Sequence, residues 1–345
     1  MMNAPERIAD TAQLEELLSV PSAELVAMMK RLDGDLMILG IAGKMGVTMG
    51  RLALRAIREA GVSKRVIGVA RFSHPEEREK LRSWGVETIA CDLLDREAVR
   101  QLPRVRNVIF MAGRKFGTAG SEAQTWAMNT LAPAYVAEHF RDSRIVAFST
   151  GCVYPLVDAA SGGCTEETAP APVGEYSQSC LGRERIFQYH SEKYGTPVLL
   201  FRLNYSVDLR YGVLHDIARR IWEGKPVENT VGHFNVIWQG DANRCALRAL
   251  ELTASPPAIL NVTGPEIASV EETARELGRL MGKAVTFTGT PGGRCYLNDA
   301  AKMCRRFGAP TIPLAQLIRW QADWIASGGE SIGKPTHFEV NDGKF

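Results

Sequence analysis

The sequence predicts an α/β fold built on a doubly wound parallel sheet. Three observations support this: short apolar segments alternate with helical ones, a glycine-rich turn follows the first apolar segment, and 45% of the 345 residues are apolar. That share is enough for a sizeable core in one large domain or two smaller ones. The chain has no apolar run long enough to span a membrane.

The elements follow one another along the chain. The helical spacing of apolar residues at 11–31 predicts an amphipathic helical segment, which would pack on the protein or form an oligomer contact. Pro21-Ser22 would break this segment and provide the N-cap of a second helix. The predicted strands lie at Leu36–Leu39, Arg65–Ala70, Glu87–Ala90, Asn107–Phe110, Ile145–Phe148, Pro197–Arg202, near Phe234–Trp238 and at Ile259–Val262. The predicted helices lie at 47–60, 75–84, 96–101, 121–140, 176–193, 211–223, 241–254, 269–281 and 311–326.

The turn after the first strand carries Gly40, Gly43 and Gly46 in the spacing G-x-x-G-x-x-G. The first glycine allows a tight turn, the second lets a phosphate approach the backbone, and the third lets the helix pack on the strand. The N–H groups and positive dipole of the helix would face the anion. A purely structural turn is the alternative. Gly43-Lys44 is not a P-loop, because Met45 stands where a Ser or Thr would bind magnesium.

Composition excludes several classes of protein. The net charge of +2, without a basic stripe, argues against nucleic-acid binding. Seven cysteines without a C-x-x-C pair, and no secretory segment, indicate thiols in a reducing, cytoplasmic compartment. The six histidines are scattered, so we expect no metal site.

Several short motifs then occur in one order. They are the glycine turn, Asp92-Leu93 after the third strand, Met111-Ala112-Gly113 after the fourth, Asn129 in the next helix, Ser149-Thr150-Gly151-Cys152-Val153-Tyr154 after the fifth, Tyr176 opening a helix, and Asn204 after the sixth strand. Over about residues 35–326 this order resembles the extended short-chain dehydrogenase/reductase superfamily, the NAD(P)-dependent sugar epimerase/dehydratase group.

The resemblance implies a domain plan. A helical extension at 1–34 would precede a Rossmann-like dinucleotide-binding domain at 35–204 plus about 234–262. A smaller substrate-binding part would comprise 205–233 and 263–345, mostly C-terminal. The protein would be a homodimer acting on a small carbohydrate-like molecule.

The resemblance also implies roles for residues. Asp92 would meet adenine, Thr150 would hold the reacting oxygen, and Tyr176 would be the acid/base. The cofactor would lie along Gly40, Gly43, Lys44, Met45, Gly46, Arg71, Asp92, Leu93, Met111, Ala112, Gly113, Asn129, Tyr176 and Asn204, and the substrate against Lys115, Thr150, Cys152 and Asn204.

One catalytic position departs from the family. Four residues after the tyrosine, where the family has a lysine, this chain has Cys180. A neutral thiol supplies no fixed positive charge, so the Tyr176 phenolate would be scarce at neutral pH. Arg183 could substitute in part, with a surface arginine as the alternative, and Lys115 is another candidate cation. Cys180 itself could be a nucleophile or simply a small helix residue.

The second strand bears on cofactor choice. It ends at Ala70 without an acidic residue, and Arg71 follows. An arginine there suits the 2′-phosphate of NADP, so NADP is predicted first and NAD second, unless Arg71 is merely solvated.

The sequence thus predicts hydride transfer between a nicotinamide and a sugar or polyol, by an epimerase, dehydratase or reductase. A nucleotide-sugar substrate is less expected, because Asn204-Tyr205-Ser206-Val207 does not match the family's usual turn. The alternative is a non-catalytic dinucleotide-binding sensor or scaffold, favoured if no cation lies near Tyr176. The C-terminal tail at 333–340 could cover the cleft or pack at a subunit contact.

Overall fold

The computed structural model describes residues 5–115, 120–290 and 293–343. Its helices are α1 Thr11–Leu18, α2 Ala23–Arg31, α3 Gly46–Glu59, α4 Pro75–Trp84, α5 Arg96–Arg100, α6 Glu122–Trp126, α7 Ala132–His139, α8 Gly174–Tyr194, α9 Val213–Trp222, α10 Gln239–Arg248, α11 Val270–Met281, α12 Ala301–Phe307 and α13 Leu314–Ala326. Its strands are β1 Leu36–Leu39, β2 Val66–Ala70, β3 Glu87–Ala90, β4 Asn107–Phe110, β5 Arg144–Thr150, β6 Val157–Asp158, β7 Val198–Leu203, β8 Ser206–Val207, β9 Val227–Glu228, β10 His233–Phe234, β11 Ile237–Trp238, β12 Ala258–Val262, β13 Ala268–Ser269, β14 Phe287–Thr288 and β15 Arg294–Cys295.

The central sheet is parallel, with the strand order β12-β7-β5-β4-β1-β2-β3. Leu36 of β1 lies opposite Val66 on one side and Asn107 on the other. The strand order reverses between β1 and β4, and ligands of such sheets bind beyond the carboxyl ends of the strands at this point. The predicted doubly wound fold is therefore confirmed.

Both faces of the sheet are covered. In β1, Leu36 and Ile38 face one core while Met37 and Leu39 face the other, and all four are at most 2% exposed. Successive side chains of a strand point to opposite faces, so a strand buried on both faces is apolar throughout. This explains why a short, uninterrupted apolar run forms β1.

A separate core forms from α9, α11 and α13 with the adjoining loops, and its largest buried side chains are Trp238, Trp320 and Trp324. The strands here are only two residues long and pair as β8 with β11, β9 with β14, and β10 with β13. Helices therefore supply most of this core. Within the described residues, no helix combines the length and apolar character needed to cross a membrane.

The N-terminal helices pack on their own chain and join the two cores. Leu14 and Leu18 of α1 are buried in the α9–α11–α13 core, whereas α2 packs on a core of the sheet. Between these cores, the buried Glu15 carboxylate accepts hydrogen bonds from Lys80 of α4 at 2.6 Å and from Arg210 at 3.2 Å. The segment therefore attaches the sheet to the smaller part.

Some elements differ from the sequence predictions. The helix expected at 121–140 is divided by a π-helical turn at Ala127–Leu131, and the strand expected near 234–238 is two short strands, β10 and β11. The helix expected at 241–254 ends at Arg248 and continues as a 3-10 turn to Leu252. The helix α12 was not predicted, because its seven residues carry too few apolar positions to show a period.

Candidate active site

The glycine turn leads from β1 into α3. Gly40 has a φ of +92°, and a Cβ there would lie 2.7 Å from the backbone nitrogen of Ala112. A Cβ at Gly46 would overlap the carbonyl oxygen of Ile41, so the helix approaches the strand closely only with glycine. The N-cap residue Met45 makes no side-chain capping hydrogen bond. The first turn of α3 therefore presents backbone N–H groups that fit the pyrophosphate of a dinucleotide.

The loop after β4, with Met111, Ala112 and Gly113, is held by Asn129. The Asn129 Oδ1 accepts a hydrogen bond from the backbone N–H of Arg114 at 2.9 Å, and its Nδ2 donates to the Arg114 carbonyl at 3.0 Å. Asn129 lies on the π-helical turn and is fully buried. Its side chain therefore fixes the path of this loop rather than facing a cavity.

Arg183 is buried, so the expectation of a surface arginine is wrong. Its guanidinium donates to the Phe148 carbonyl at 2.8 Å and to the Asn129 Oδ1 at 2.6 Å. A Cβ at Gly113 would lie 2.5 Å from the Arg183 Nη2. These neutral oxygens accept hydrogen bonds from the buried guanidinium in place of water, and they lie too far away in sequence to be anticipated.

Three predicted cofactor contacts lie beyond the ends of β2 and β3. Arg71 is exposed directly after β2. After β3, the Asp92 carboxylate accepts a hydrogen bond from the Leu94 N–H at 3.0 Å and is half-buried, next to the buried Leu93. All three follow the carboxyl ends of strands, where the adenosine half of a dinucleotide binds in such folds.

A cavity of about 170 Å³ brings several predicted site residues together. From the predicted set, it is lined by Lys44, Met45, Lys115, Thr150, Cys152, Tyr176 and Asn204. The other lining residues were not among the predicted site residues; they are Ser149, Leu203, Tyr205, Ser206, Tyr211, Gly212, Val213, Gln239 and Thr336. The predicted residues Gly40, Gly43, Gly46, Arg71, Asp92, Leu93, Met111, Ala112, Gly113, Asn129 and Cys180 do not line it.

Tyr176 and Thr150 meet in this cavity. Burial raises the pKa of Tyr176 well above its usual value, and the Cys180 and Cys152 thiols act in the same direction. The Arg183 guanidinium and a hydrogen bond with Thr150 oppose that rise in pKa. Tyr176 is therefore a neutral phenol at neutral pH, able to donate a proton to a substrate oxygen.

Cys180 lies one turn after Tyr176 and packs in a small cluster with Val153, Tyr154 and Cys164. Burial raises its pKa to about 11, although the charge of Arg183 and a hydrogen bond with Tyr176 act in the opposite direction. A thiol with this pKa is protonated at neutral pH. The environment therefore opposes a thiolate nucleophile.

Two lysines face the cavity from different loops. The Lys115 Nζ lies 5.8 Å from the centroid of the Tyr176 ring and donates to the Thr336 carbonyl at 3.2 Å. The Lys44 Nζ lies over the ring of Tyr211, 3.1 Å from its centroid, a cation–π arrangement. Burial lowers the pKa of Lys115, and it lowers the pKa of Lys44 to about 7.

The C-terminal segment covers the cavity. Thr336 lines it and is held by Asp216 of α9, whose carboxylate accepts hydrogen bonds from the Thr336 N–H at 2.7 Å and hydroxyl at 2.5 Å. Phe338 is buried against the smaller core, 6.5 Å from the Phe234 ring. Of the two expectations for the tail, the fold over the cleft is the one observed.

Asn204 is also buried, and its Nδ2 donates to the Asn235 Oδ1 at 2.8 Å and to the Tyr296 carbonyl at 3.2 Å. Its amide therefore joins β7 to the smaller part at the cavity wall. Across the described residues, no group of three or more His, Cys, Asp or Glu side chains is arranged to hold a metal ion.

The fold is similar to several solved structures. UDP-glucuronic acid 4-epimerase from Bacillus cereus, in complex with NAD, is 18% identical with a TM-score of 0.69, covering 84% of this chain and 98% of that one. UDP-glucose 4-epimerase from Thermotoga maritima, with UDP-glucose, is 16% identical with a TM-score of 0.68, covering 85% and 99%. dTDP-glucose 4,6-dehydratase from Bacillus anthracis, in complex with NAD, is 17% identical with a TM-score of 0.71, covering 84% and 96%. At these identities the likeness shows the fold.

Curated protein sequences give no match to this chain. A family model described as the NAD dependent epimerase/dehydratase family does match, over residues 36–245, which is more than half of the chain. The matched range begins at β1 and ends within α10, so it includes the glycine turn, Thr150 and Tyr176. The chain belongs to the NAD dependent epimerase/dehydratase family.

Proposed function

We propose that this protein transfers hydride between a nicotinamide dinucleotide and a carbon atom of a sugar or related polyol. The observation that carries the proposal is the meeting of Tyr176 and Thr150 in one cavity, which Lys44 and Met45 of the glycine turn also line. When bound, the cofactor would supply or accept the hydride at its nicotinamide ring. We assign its binding to the predicted cofactor residues other than Asn129, whose buried amide holds the loop after β4, with the pyrophosphate at the N-terminus of α3.

The chain's own residues would manage the proton. Thr150 orients the substrate oxygen through its hydroxyl, and Tyr176 donates a proton to that oxygen as it gains negative charge. Because burial keeps the Tyr176 pKa high, the phenol form that can donate this proton is abundant at neutral pH. Arg183 opposes this rise in pKa and so stabilises the phenolate left after proton transfer.

The experiment incubates the purified protein with NADPH and a panel of aldoses, ketoses and their acids. Consumption of reduced nicotinamide is followed by absorbance, and exchange of a labelled hydride into the sugar is followed by mass spectrometry. Turnover of at least one compound supports the proposal. Tight NADPH binding without turnover or label exchange on any compound would favour the sensor alternative instead. That alternative is disfavoured because Arg183 and Lys115 place cationic groups near Tyr176.

Replacing Gly43 with aspartate is expected to weaken nucleotide binding at least about tenfold, because a carboxylate would face the pyrophosphate. A Cβ at Gly43 would lie 3.3 Å from the Gly40 carbonyl oxygen, so a small side chain is nearly accommodated. Gly43→Ala is therefore the matched control, with added bulk but no charge. Titration of NADPH fluorescence measures both variants. Unchanged affinity in Gly43→Asp would refute the placement of the pyrophosphate.

We further propose that NADP(H) is preferred and NAD(H) is second, because Arg71 follows β2 and is exposed to a ligand. Arg71→Ala should cost about 1.5–3 kcal/mol of NADPH binding, the usual contribution of a hydrogen bond to a charged group, and should leave NADH binding nearly unchanged. Arg319→Ala, on the exposed side of α13, is the control. An equal loss for both nucleotides, or tighter NADH binding by the native protein, would contradict the assignment.

Two further proposals concern the oligomeric state and the domain boundaries of the protein. We propose a homodimer, with Leu131, Tyr189 and Tyr194 as exposed apolar side chains on neighbouring helical segments near α7 and α8. The domain plan also stays a proposal: an extension at 1–34, a dinucleotide-binding domain at 35–204 plus about 234–262, and a substrate-binding part in the remainder.

A further inference from the structure

The turn after β7 holds a tyrosine in an unfavourable backbone conformation. Tyr205 has a φ of +43°, in the left-handed region that favours glycine. Backbone hydrogen bonds on both sides fix this turn: the Asn204 N–H donates to the Val262 carbonyl at 2.9 Å, and the Tyr205 carbonyl accepts from the Ile237 N–H at 3.1 Å. A glycine would adopt the same conformation at lower cost, so the backbone alone does not explain why a tyrosine stands here.

The location of Tyr205 distinguishes it from other residues in this conformation. Among the described residues, the non-glycine residues with a positive φ are Phe72, Tyr205 and His337. Of these three, only Tyr205 lines the cavity that holds Tyr176. Backbone strain of this kind is typical of active sites and ligand-binding sites, where it places a side chain that has a role.

The Tyr205 side chain extends from the smaller core to the cavity. Its ring packs partly buried against the α9–α11–α13 core. Burial raises the pKa of Tyr205 well above its usual value, and Cys152, Tyr296, Tyr211 and Glu339 act in the same direction. Two of these neighbours, Cys152 and Tyr211, also line the cavity. The Tyr205 hydroxyl is therefore a neutral donor at the cavity end of its side chain.

Two adjacent hydroxyls on this wall of the cavity lack a protein partner. The described hydrogen bonds include none of the Tyr205 hydroxyl. The hydroxyl of the next residue, Ser206, is buried and also makes no hydrogen bond within the described chain, although Ser206 lines the same cavity. A desolvated hydroxyl without a partner is unfavourable, and an oxygen-bearing ligand in the cavity would satisfy it.

The Cys152 thiol lies close to both the Tyr205 and the Tyr176 hydroxyls, because it influences the pKa of each. One ligand in the cavity can therefore contact both tyrosines. We propose that Tyr205 donates a hydrogen bond to a substrate hydroxyl other than the oxygen that Tyr176 protonates, and that it thereby selects polyhydroxylated substrates. This rests on the proposed hydride-transfer function and narrows its substrate class. A site built to pair with a substrate hydroxyl rejects analogues that lack it, because the site's own polar group is then left unpaired.

The test uses protein saturated with NADPH and three polyols, glucitol, galactitol and xylitol, each with its monodeoxy derivatives. The polyols are already reduced, so no hydride transfer disturbs the calorimetry. We expect native protein to bind at least one polyol, and one of its monodeoxy derivatives about tenfold more weakly. Tyr205→Phe keeps the ring and the same backbone conformation. In this variant the polyol should bind about tenfold more weakly, the discrimination against that derivative should disappear, and the NADPH affinity should stay native.

Urea unfolding separates a ligand-binding role of this hydroxyl from a structural one, and it needs no substrate. Tyr205→Phe removes a hydroxyl without a protein partner, so its urea midpoint should equal or exceed the native midpoint. Tyr154→Phe is the matched comparison. It leaves unpaired the Asn261 Oδ1, which accepts a hydrogen bond from the Tyr154 hydroxyl at 2.9 Å, so its midpoint should fall. A fall of the same size in Tyr205→Phe would overturn the inference, because the Tyr205 hydroxyl would then be structural.

The binding measurements can also overturn the inference. Failure of native protein to bind any of the three polyols would do so, as would a Tyr205→Phe variant with native polyol affinity and native discrimination. The proposed function fails separately, if NADPH does not bind or if no compound of the panel is turned over. If turnover occurs while Tyr205→Phe binds the polyols like native protein, only this inference fails.

Discussion

Tyr176→Phe is expected to lower turnover by about 10²- to 10⁴-fold, the usual contribution of general acid–base catalysis. The substitution removes one hydroxyl from a buried side chain and keeps its ring, so the fold and the affinity for NADPH should change little. The loss is expected because the Tyr176 hydroxyl forms a hydrogen bond with Thr150. Tyr205 and Tyr211 also line the cavity, but the described contacts include no hydrogen bond between either of them and Thr150. Steady-state kinetics on the compound found in the panel measures the effect.

The matched control is Tyr189→Phe on the same helix. The Tyr189 side chain is 54% exposed, and its hydroxyl contacts only Lys193 among the described hydrogen bonds. That variant should keep native turnover. A Tyr176→Phe enzyme with native kcat and native NADPH affinity would show that the proton moves through another group.

Glu184→Leu is expected to destabilise the protein by about 3–5 kcal/mol, the usual penalty for removing one partner of a buried ion pair. The Glu184 carboxylate binds Arg202 at 2.6 and 2.9 Å and accepts a hydrogen bond from Ser149 at 2.6 Å. The side chains of Glu184 and Arg202 are 1% and 3% exposed. Leucine would leave the Arg202 guanidinium buried without its counter-charge. Urea unfolding measures the change in the free energy of unfolding.

Two further variants separate this explanation from a general packing defect. Glu192→Leu, at an exposed position of the same helix, should change stability by no more than about 0.5 kcal/mol. The double variant Glu184→Leu with Arg202→Leu should recover part of the loss, because it removes both buried charges. A double variant less stable than Glu184→Leu alone would contradict the assignment.

The sheet could be predicted because its strands are short apolar runs separated by turns and helices. β1, β3 and β4 begin and end where the sequence predicts. The short strands β8 and β9 could not be predicted, since two residues carry no periodicity. The π-helical turn was missed for a different reason: its extra residue turns Asn129 toward Arg114 and Arg183, contacts that lie 15 and 54 positions away.

The candidate site was predictable where family motifs mark it and hidden elsewhere. Thr150 and Tyr176 belong to such motifs, and they line one cavity. Tyr211, Gln239 and Thr336 line it too, but nothing in their local sequence marks them, because the fold brings them from distant segments. A surface position was the alternative for Arg183 because arginine is rarely buried, and its hydrogen bonds with distant residues explain why it is buried.

The position of α1 and α2 has a consequence for how molecules enter and leave. The ion pairs of Glu15 with Lys80 and Arg210 clamp the sheet to the smaller part on their outer side, so a wide hinge opening would have to break them. The C-terminal segment that covers the cavity is held there chiefly by the hydrogen bonds of Thr336 with Asp216 and Lys115. Lifting this segment would break the Thr336 hydrogen bonds and leave the Glu15 ion pairs intact. Molecules could therefore exchange with solvent at the C-terminal edge of the cavity without separation of the sheet from the smaller part.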